Sequence, residues 1–394
     1  MIARSRSPSA AIKSDVAGSR FDAVLRARSN RVSTPLWLRF ARLDHALRPL
    51  WAQTLPANWT AALYSASRSR FLSMLSDANL GTVAKAQHPV TVMGIPFRND
   101  LGNAAGVDKD GSLLNFHHAL GAGFAVVGTV LDAPHTGNLW SPLGMRCNPW
   151  TPLPQSGGAL NSLGLPSKGI DVALDTIKRF QDEVQPEQFP IGLSIMGHPA
   201  KEGEAKLRGI VECVRKATGV VDFIEINESC PNVQHEQGDV IGRLRLLVEA
   251  RDEAGSTPLL VKLAEIHQPE TLIPGLLEAG VRGLVATNTQ NAYEAYAAKI
   301  AKGDARLFRY YTNTHAGGLS GRPIAGFAAQ QIEQAKQHIP KGADFSLVHV
   351  GGIESPEDVD RSRKIAELRE WYTGFFERLI LCGPATLYRD MTQR

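Results

Sequence analysis

The segment Phe223–Asn232, with the sequence FIEINESCPN, contains the pattern that decides the fold. A short apolar run, Phe223–Asn227, changes at once into polar residues and a proline. Runs of this kind recur along the chain, and stretches with the apolar spacing of helices separate them. Such alternation is typical of parallel strands covered by helices. We predict eight strands: Gly102–Ala105, Phe124–Thr129, Pro190–Ile195, Phe223–Asn227, Leu259–Leu263, Gly283–Thr287, Ser346–Val350 and Leu379–Cys382.

Segments with helical spacing lie between these strands: Ile170–Glu183, Glu202–Ala217, Ile241–Ala254, Pro269–Ala279, Ala325–His338 and Pro356–Glu370. Eight strands with their helices in about 300 residues predict an α/β fold, a TIM (β/α)₈ barrel over residues 88–394. A doubly wound open sheet is the alternative. Two short runs, Val90–Met93 and Ile95–Arg98, are separated at Gly94 and predict a hairpin that closes the bottom of the barrel.

The composition excludes several classes of protein. The chain has 394 residues, 43% hydrophobic and 21% charged, which is ordinary for a globular enzyme and unlike disordered or fibrous chains. No apolar stretch is long enough for a membrane-spanning helix. Cys147, Cys213, Cys230 and Cys382 form no C-x-x-C pair, so neither a zinc site nor a disulfide framework is predicted, and no metal ion is expected.

The net charge of +4 conceals an uneven distribution. Residues 1–75 carry twelve Arg or Lys and three Asp side chains, so the remainder of the chain is acidic. A basic nucleic-acid-binding surface over the whole protein is therefore not expected, and no nucleic acid partner is predicted. Residues 1–35, rich in Arg and Ser, are typical of a disordered tail or of an organelle transit peptide.

Residues 36–87 form a second predicted part, a small N-terminal helical module. Apolar residues recur at helical spacing through residues 36–75, and Pro49 and Pro56 divide this stretch into two short amphipathic helices. Between residues 37 and 59 it contains three Trp and three Arg residues: Trp37, Trp51, Trp59, Arg39, Arg42 and Arg48. Trp with Arg on an amphipathic helix suits a membrane interface, and a helical pair packed on the main domain is the alternative.

Polar residues directly follow most of the predicted strands, at the end of a barrel where active sites lie. Any one of them is weak evidence, because Asn and Thr at strand ends are common turn formers and helix caps. Lys262, inside an apolar strand, is costly to bury without an anionic partner, so we expect a negative charge beside it. Gly351-Gly352 follows a strand and precedes a helix, which suits phosphate held by backbone N–H groups or a plain turn.

Six motifs occur in one order along the chain: Asn103–Gly111 (NAAGVDKDG), Asn161–Pro166 (NSLGLP), Asn227–Asn232 (NESCPN), Ala286–Thr289 (ATNT), Gly317–Pro323 (GGLSGRP) and Val350–Ile353 (VGGI). Together they resemble the dihydroorotate dehydrogenase family, flavin (FMN) enzymes of pyrimidine synthesis with a (β/α)₈ barrel. The resemblance is strong over residues 88–355 and looser over 36–87. It implies oxidation of (S)-dihydroorotate to orotate, with FMN as cofactor.

The resemblance also implies residue roles. Cys230 matches the base that removes the C5 proton while a hydride leaves C6, and Lys262 matches the cation near flavin N1 and O2. Lys109 matches the residue that meets the substrate carboxylate. The residues implied to bind substrate are Lys109, Asn161, Asn227, Asn232, Asn288 and Thr289. Those implied to bind the cofactor are Ala104, Ala105, Gly106, Thr129, Ser194, Asn227, Lys262, Thr287, Gly318, Gly351, Gly352 and Gly383.

The motifs combine features of two branches of the family. The helical module and Asp108-Lys109 resemble the membrane-associated branch, which passes electrons to quinone. Cys230, Ser194 and Asn161–Pro166 resemble the soluble branch, which uses fumarate or NAD. We expect quinone as the electron acceptor, with fumarate or NAD as alternatives.

The helical module also bears on location. We expect peripheral attachment to an inner membrane, bacterial or mitochondrial, through residues 36–75. A cytoplasmic location is the alternative.

Two features depart from the family's pattern. Gly383-Pro384 takes the place of the Tyr-Thr or similar pair after the predicted eighth strand, and the segment Ile365–Phe376 has no place in the pattern. Two other functions compete with the one implied: an FMN barrel that acts on another pyrimidine or cyclic amide, and a non-catalytic scaffold. The four matching Asn residues disfavour the first, and Cys230 together with Lys262 disfavours the second.

Overall fold

The structure is a computed structural model that describes residues 35–78, 80, 88–228 and 240–393. The predicted tail, apart from Pro35, lies outside the described residues, and so do Cys230 and Asn232. The chain divides into two compact units, residues 1–41 and residues 42–394.

The core of the second unit is a closed barrel of eight parallel strands. We number the barrel strands β1 (Leu101–Asp108), β2 (Ala125–Val130), β3 (Ile191–Ile195), β4 (Phe223–Asn227), β5 (Leu259–Leu263), β6 (Gly283–Ala286), β7 (Ser346–Val350) and β8 (Leu368–Trp371). Each strand pairs with the next along the chain, and β8 closes the barrel by pairing with β1. The predicted TIM barrel is confirmed.

Helices cover the barrel, as the alternating sequence pattern predicts. Those of the barrel region are Leu114–Leu120, Ile170–Val184, Gly203–Ala217, Val240–Ala254, Pro269–Glu278, Tyr293–Tyr296, Ala305–His315, Ala325–Gln337, Pro356–Arg363, Thr373–Cys382 and Leu387–Thr392. Short 3₁₀ turns occupy Pro142–Gly144, Ala297–Lys299 and Arg322–Ile324. A three-stranded antiparallel sheet outside the barrel consists of Trp150–Leu153, Gly158–Asn161 and Gly318–Gly321.

An apolar cluster fills the bottom of the barrel. The hairpin of Val90–Val92 and Ile95–Phe97 contributes Phe97, whose ring lies 5.5 Å from that of Phe124 and 6.4 Å from that of Phe223. All three rings are buried, and each contributes about 1.5–3 kcal/mol through the apolar surface it removes from water. The hairpin therefore closes the bottom of the barrel, as the sequence predicts.

The predicted eighth strand is wrong. Leu379–Cys382 is the end of the helix Thr373–Cys382, and β8 lies earlier, in a stretch predicted as helix up to Glu370. The prediction failed because β8 carries two charged residues, Arg369 and Glu370, which conceal its strand character. Both side chains are nevertheless buried, since each has a charged partner within the fold.

Two helices precede the barrel region: α1 (Leu36–Thr54) and α2 (Ala57–Ser76). Pro56 separates them as predicted, whereas Pro49 lies inside α1 and does not end it. Two of the Arg residues predicted to meet lipid contact protein instead. Arg48 bonds Glu377 Oε1 at 2.8 Å, and Arg42 Nε donates to the backbone oxygen of Ile380 at 3.0 Å. Through these two guanidinium groups, α1 is hydrogen-bonded to the helix Thr373–Cys382.

Candidate functional site

A cleft opens at the carboxyl ends of the barrel strands. This is the end of a TIM barrel at which active sites lie. Thirteen of the residues predicted to bind substrate or cofactor line the cleft: Ala104, Ala105, Gly106, Lys109, Thr129, Asn161, Asn227, Lys262, Thr287, Asn288, Thr289, Gly351 and Gly352. The fold therefore brings residues from the ends of several barrel strands, and Asn161 from the outer sheet, to one place.

Of the predicted residues that the structure describes, three do not line the cleft. Ser194 is fully buried beneath Thr129, whose hydroxyl lies 3.0 Å from its own. Gly318 pairs with Asn161 in the outer sheet, and its backbone oxygen accepts a hydrogen bond from the Asn161 amide at 3.3 Å. Gly383 caps the end of the helix Thr373–Cys382, so its assignment as the residue after the eighth strand is wrong.

A chain of hydrogen bonds runs through the polar side of the cleft. Asn288 Nδ2 donates to Asn227 Oδ1 at 3.2 Å, and Asn227 Nδ2 donates to Thr129 Oγ1 at 3.2 Å. Thr129 in turn contacts Ser194, which anchors the chain within the barrel wall. These bonds fix the rotation of two side-chain amides, whose C=O and NH₂ groups suit a ring edge that presents both donors and acceptors.

Lys262 lies on β5, and its side chain extends from the inside of the barrel to the cleft. Its Nζ lies 3.0 Å from Glu370 Oε2 and 3.3 Å from Glu225 Oε2, and all three side chains are buried. Burial alone lowers the pKa of Lys262, but the two glutamates reverse this effect and raise it. The anionic partner expected for this lysine is therefore supplied by the protein, through two carboxyl groups that the sequence pattern did not single out.

The loop after β1 presents Lys109 to the cleft. Asp108, fully buried at the end of β1, accepts hydrogen bonds from the backbone N–H of Gly111 at 2.9 Å and of Leu113 at 3.1 Å. Burial raises the pKa of Asp108 to about 7, and the neighbouring Asp110 adds to the rise while the N–H donors oppose it. These hydrogen bonds to Asp108 thus fix the backbone of the turn that carries Lys109.

Glycines and a helix start form one end of the cleft. Gly351 and Gly352 have φ of 128° and 77°, values that side chains other than glycine rarely adopt. A Cβ on Gly352 would also collide with Ala325. Thr373 and Gly374 line the same end, at the start of the helix Thr373–Cys382. The first N–H groups of a helix have no acceptor within it and are available to an anion.

Sequence reasoning missed several residues of the cleft. Tyr372 and Thr373 directly follow β8, so correct placement of that strand would have found the expected Tyr-Thr pair. Arg68 of α2 donates to the Tyr372 hydroxyl at 2.9 Å, a contact between distant parts of the chain that no local pattern reveals. The other lining residues missed are apolar or small: Leu163, Leu165, Ser320, Gly321, Ile324, Val350, Ile353, Trp371 and Gly374.

Comparison with known proteins decides the family. The family model described as dihydroorotate dehydrogenase matches residues 88–380, which is most of the chain. The chain belongs to the dihydroorotate dehydrogenase family. It is therefore an oxidoreductase, and the resemblance seen in the six motifs is confirmed. Members of the dihydroorotate dehydrogenase family work with a flavin cofactor.

Curated relatives carry the name dihydroorotate dehydrogenase (quinone). The protein from Chloroflexus aurantiacus is 31% identical and covers 89% of this chain and 91% of its own length. A protein from Thermus thermophilus is 33% identical over 75% of this chain and 81% of its own. A crystal structure of DHODH from Eimeria tenella in complex with ferulenol has a TM-score of 0.68, with 20% identity over 83% of this chain and 89% of that one. This last likeness shows the shared fold.

Proposed function

We propose that the protein oxidises (S)-dihydroorotate to orotate with FMN as cofactor and passes the electrons to a quinone, as a step of pyrimidine synthesis. The observation that carries the proposal is the composition of the cleft. Side-chain amides, Lys109, the buried Lys262 and a group of glycines beside a helix start all line it. This arrangement offers places for an acidic pyrimidine, a flavin ring and a phosphate.

The residues present fit FMN. Gly351, Gly352 and Gly374 leave the backbone open at one end of the cleft, and the helix Thr373–Cys382 begins there. Backbone N–H groups at a helix start suit the terminal phosphate of FMN, which riboflavin lacks. The residues that follow β8 are Tyr372 and Thr373 rather than Gly383-Pro384, so the site keeps backbone N–H donors at this position that Pro384 would lack.

In this proposal the chain's own residues bind and orient the substrate. Lys109 meets its carboxylate, and Asn161, Asn227 and Asn288 hydrogen-bond the ring amides, with Asn232 and Thr289 completing the set. The bonds among Asn227, Asn288 and Thr129 hold two of these amides before substrate arrives, which lowers the entropy cost of binding. Lys262 places a positive charge where the flavin ring gains negative charge.

Cys230 is proposed as the base. When bound, FMN supplies a hydride acceptor for C6 of the substrate, and the Cys230 thiolate takes the proton from C5. A free thiol has a pKa of about 8.5, so thiolate is accessible near neutral pH. Two of the other cysteines are unsuited to the role. Burial raises the pKa of Cys213 to about 12, and Cys147 is shifted in the same direction.

Two observations favour a quinone over fumarate or NAD as the acceptor. The match to the Chloroflexus relative, whose name specifies quinone, covers 89% of this chain. Residues 88–394 make up a smaller share of the chain, so the match also includes part of the helical module. In addition, α2 touches the cleft wall, because Arg68 bonds both Tyr372 and the backbone oxygen of Gly106. A quinone ring entering beside α2 would meet a hydrogen-bond donor close to the flavin.

We propose that the helical module, residues 36–87 ahead of the barrel at 88–394, rests on a membrane. Apolar side chains on it are exposed: Leu43, Leu50, Leu55, Trp59, Leu63 and Met74. Among the described residues, no helix combines the length and the hydropathy needed to cross a bilayer. Peripheral binding at an inner membrane, bacterial or mitochondrial, fits these properties, and a cytoplasmic location is the alternative outcome.

The reaction is tested by mixing purified protein with dihydroorotate in the absence of oxygen. The protein should be yellow, and the colour should bleach on mixing. A colourless protein that FMN does not restore would refute the proposal, and a yellow one that dihydroorotate leaves unbleached would point to another pyrimidine or cyclic amide. Cys230→Ala should stay yellow and lose rapid bleaching, while Cys382→Ala, a substitution of an exposed cysteine, should bleach normally.

The acceptor is tested by adding a ubiquinone analogue, fumarate or NAD to the bleached protein. Fast return of the yellow colour with the quinone alone is expected.

Membrane binding is tested by co-sedimentation with anionic vesicles, comparing the natural protein with a variant that carries Trp59→Ser and Leu63→Ser. Loss of sedimentation in the variant is expected, and equal sedimentation of both proteins would remove the case for this surface.

A further inference from the structure

The buried charges beneath the cleft do not balance if every group is ionised. Lys262 contributes one positive charge, and Glu225 and Glu370 contribute two negative charges. The three side chains come from β5, β4 and β8 and meet inside the barrel, where all three are almost completely buried. A surplus charge in such surroundings is costly, and a buried acid in that position takes up a proton instead.

The contacts show where a proton would be held. Glu225 Oε2 lies 3.3 Å and Glu370 Oε2 lies 3.0 Å from the same Lys262 Nζ, so the two carboxyl groups meet at one ammonium. Two ionised carboxylates that share such a site repel each other, and a proton on either one removes the repulsion. Pairs of this kind titrate as a unit.

We propose that Glu225 and Glu370 share one proton and act as positioning residues, so that the cluster with Lys262 is neutral and holds the ammonium at the floor of the cleft.

The charges around Glu370 agree with this assignment. Burial raises the pKa of Glu370; Lys262 opposes the rise and Glu225 adds to it, with a result of about 8. On the neighbouring strands, His349 of β7 forms a hydrogen bond with Ser362, and Asp108 of β1 accepts one from the loop that follows β1. Arg369, adjacent in β8, pairs with Asp100. Among the described residues, Lys262 and Glu225 are therefore the charged groups that face Glu370.

The shared proton makes the charge of the cleft floor depend on pH. Below the Glu370 pKa the cluster is neutral, and above it the cluster carries one negative charge. A negative charge beneath a flavin opposes the uptake of electrons by the ring. This last consequence rests on the proposed function, whereas the shared proton does not.

The proton is tested without any cofactor bound, by infrared difference spectra of the protein between about pH 6 and about pH 10, on either side of the Glu370 pKa. The natural protein should show the carbonyl band of a buried carboxylic acid at the lower pH and lose it at the higher. E370Q and E225Q should each lack this component, because either substitution leaves one carboxylate opposite one ammonium. E367Q should keep the band. Glu367 is a nearby glutamate that accepts a hydrogen bond from the backbone N–H of Leu347.

The outcomes separate the possible roles. A band that persists in E225Q would assign the proton to Glu370 alone and overturn the sharing, and a band that persists in both variants would overturn the proposal. Thermal unfolding shows whether each variant folds. If E225Q does not fold, E225D replaces it as the test of sharing, and retention of the band in E370Q overturns the proposal. In protein that binds FMN, the flavin midpoint potential should fall more steeply above about pH 8 than in E370Q. Parallel slopes would refute the link to the flavin.

Discussion

The Arg68 guanidinium donates a hydrogen bond to the Tyr372 hydroxyl at 2.9 Å, and this contact connects helix α2 with the wall of the cleft. Arg68 also reaches the backbone oxygen of Gly106. The segment ahead of the barrel therefore contributes directly to the surroundings of the proposed flavin. Its part in the reaction is open to test by substitutions that leave the barrel intact.

Arg68→Leu should raise the KM for a quinone about tenfold, because a charge-assisted hydrogen bond contributes about 1.5–3 kcal/mol. The KM for dihydroorotate should change little. Steady-state rates with a ubiquinone analogue and with a small redox dye measure the two effects. Arg70→Leu, at an exposed position of the same helix, is the matched control. Equal increases with both acceptors would show that Arg68 acts only on the structure.

Gly352→Ala should produce protein that binds little or no FMN. The new Cβ would collide with Ala325, and φ at this position is 77°, where alanine is strained. The ratio of flavin absorbance to protein absorbance measures the loss. Gly326→Ala is the control, since a Cβ there meets no atom within 4 Å. Full flavin content in Gly352→Ala would show that the glycine does not shape the phosphate end.

Phe97→Ala should lower the free energy of unfolding by about 3–5 kcal/mol, the usual cost of emptying a buried aromatic position. The ring is fully buried between Phe124 and Phe223 at the bottom of the barrel. Denaturant unfolding measures the change. Leu381→Ala, on an exposed side chain, should shift stability by no more than about 0.5 kcal/mol. A similar small change for Phe97→Ala would mean that the hairpin does not close the core.

His117→Phe should make the protein less sensitive to acid. Burial lowers the pKa of His117 to about 3, and neither ring nitrogen has a hydrogen-bond partner among the described residues. Below about pH 6.5 the unfolded chain binds a proton at this residue and the folded chain does not. The free energy of unfolding therefore decreases as the pH is lowered through that range. Between about pH 7 and about pH 5 the variant should lose about 2 kcal/mol less than the natural protein.

The reference for His117→Phe is its own stability at about pH 8, where the histidine is neutral in both states. Any difference there reports packing against Phe375, whose ring lies 5.4 Å away. Identical pH profiles for both proteins would contradict the assignment of the acid response to His117.

Seven barrel strands could be predicted because strand ends carry a local signal, an apolar run followed by polar residues, and most of the cleft residues were predicted from the resemblance of the six motifs to the family. The prediction failed at β8, where Arg369 and Glu370 are buried by pairing with residues far away in the chain. The same limit applies to Glu225, which looked like an ordinary position of β4. A pattern shows that Lys262 needs an anion, but only the closed barrel shows which carboxyl groups meet it.

The pairing of β8 with β1 joins the last strand of the barrel to the first. During synthesis the cleft therefore stays incomplete until residues up to Gly374 have left the ribosome. Until then the edges of β1 and of the most recent strand are open to pairing with other chains. FMN would bind only near the end of synthesis, and a chain terminated before Leu368 would lack both a closed barrel and a complete place for the cofactor.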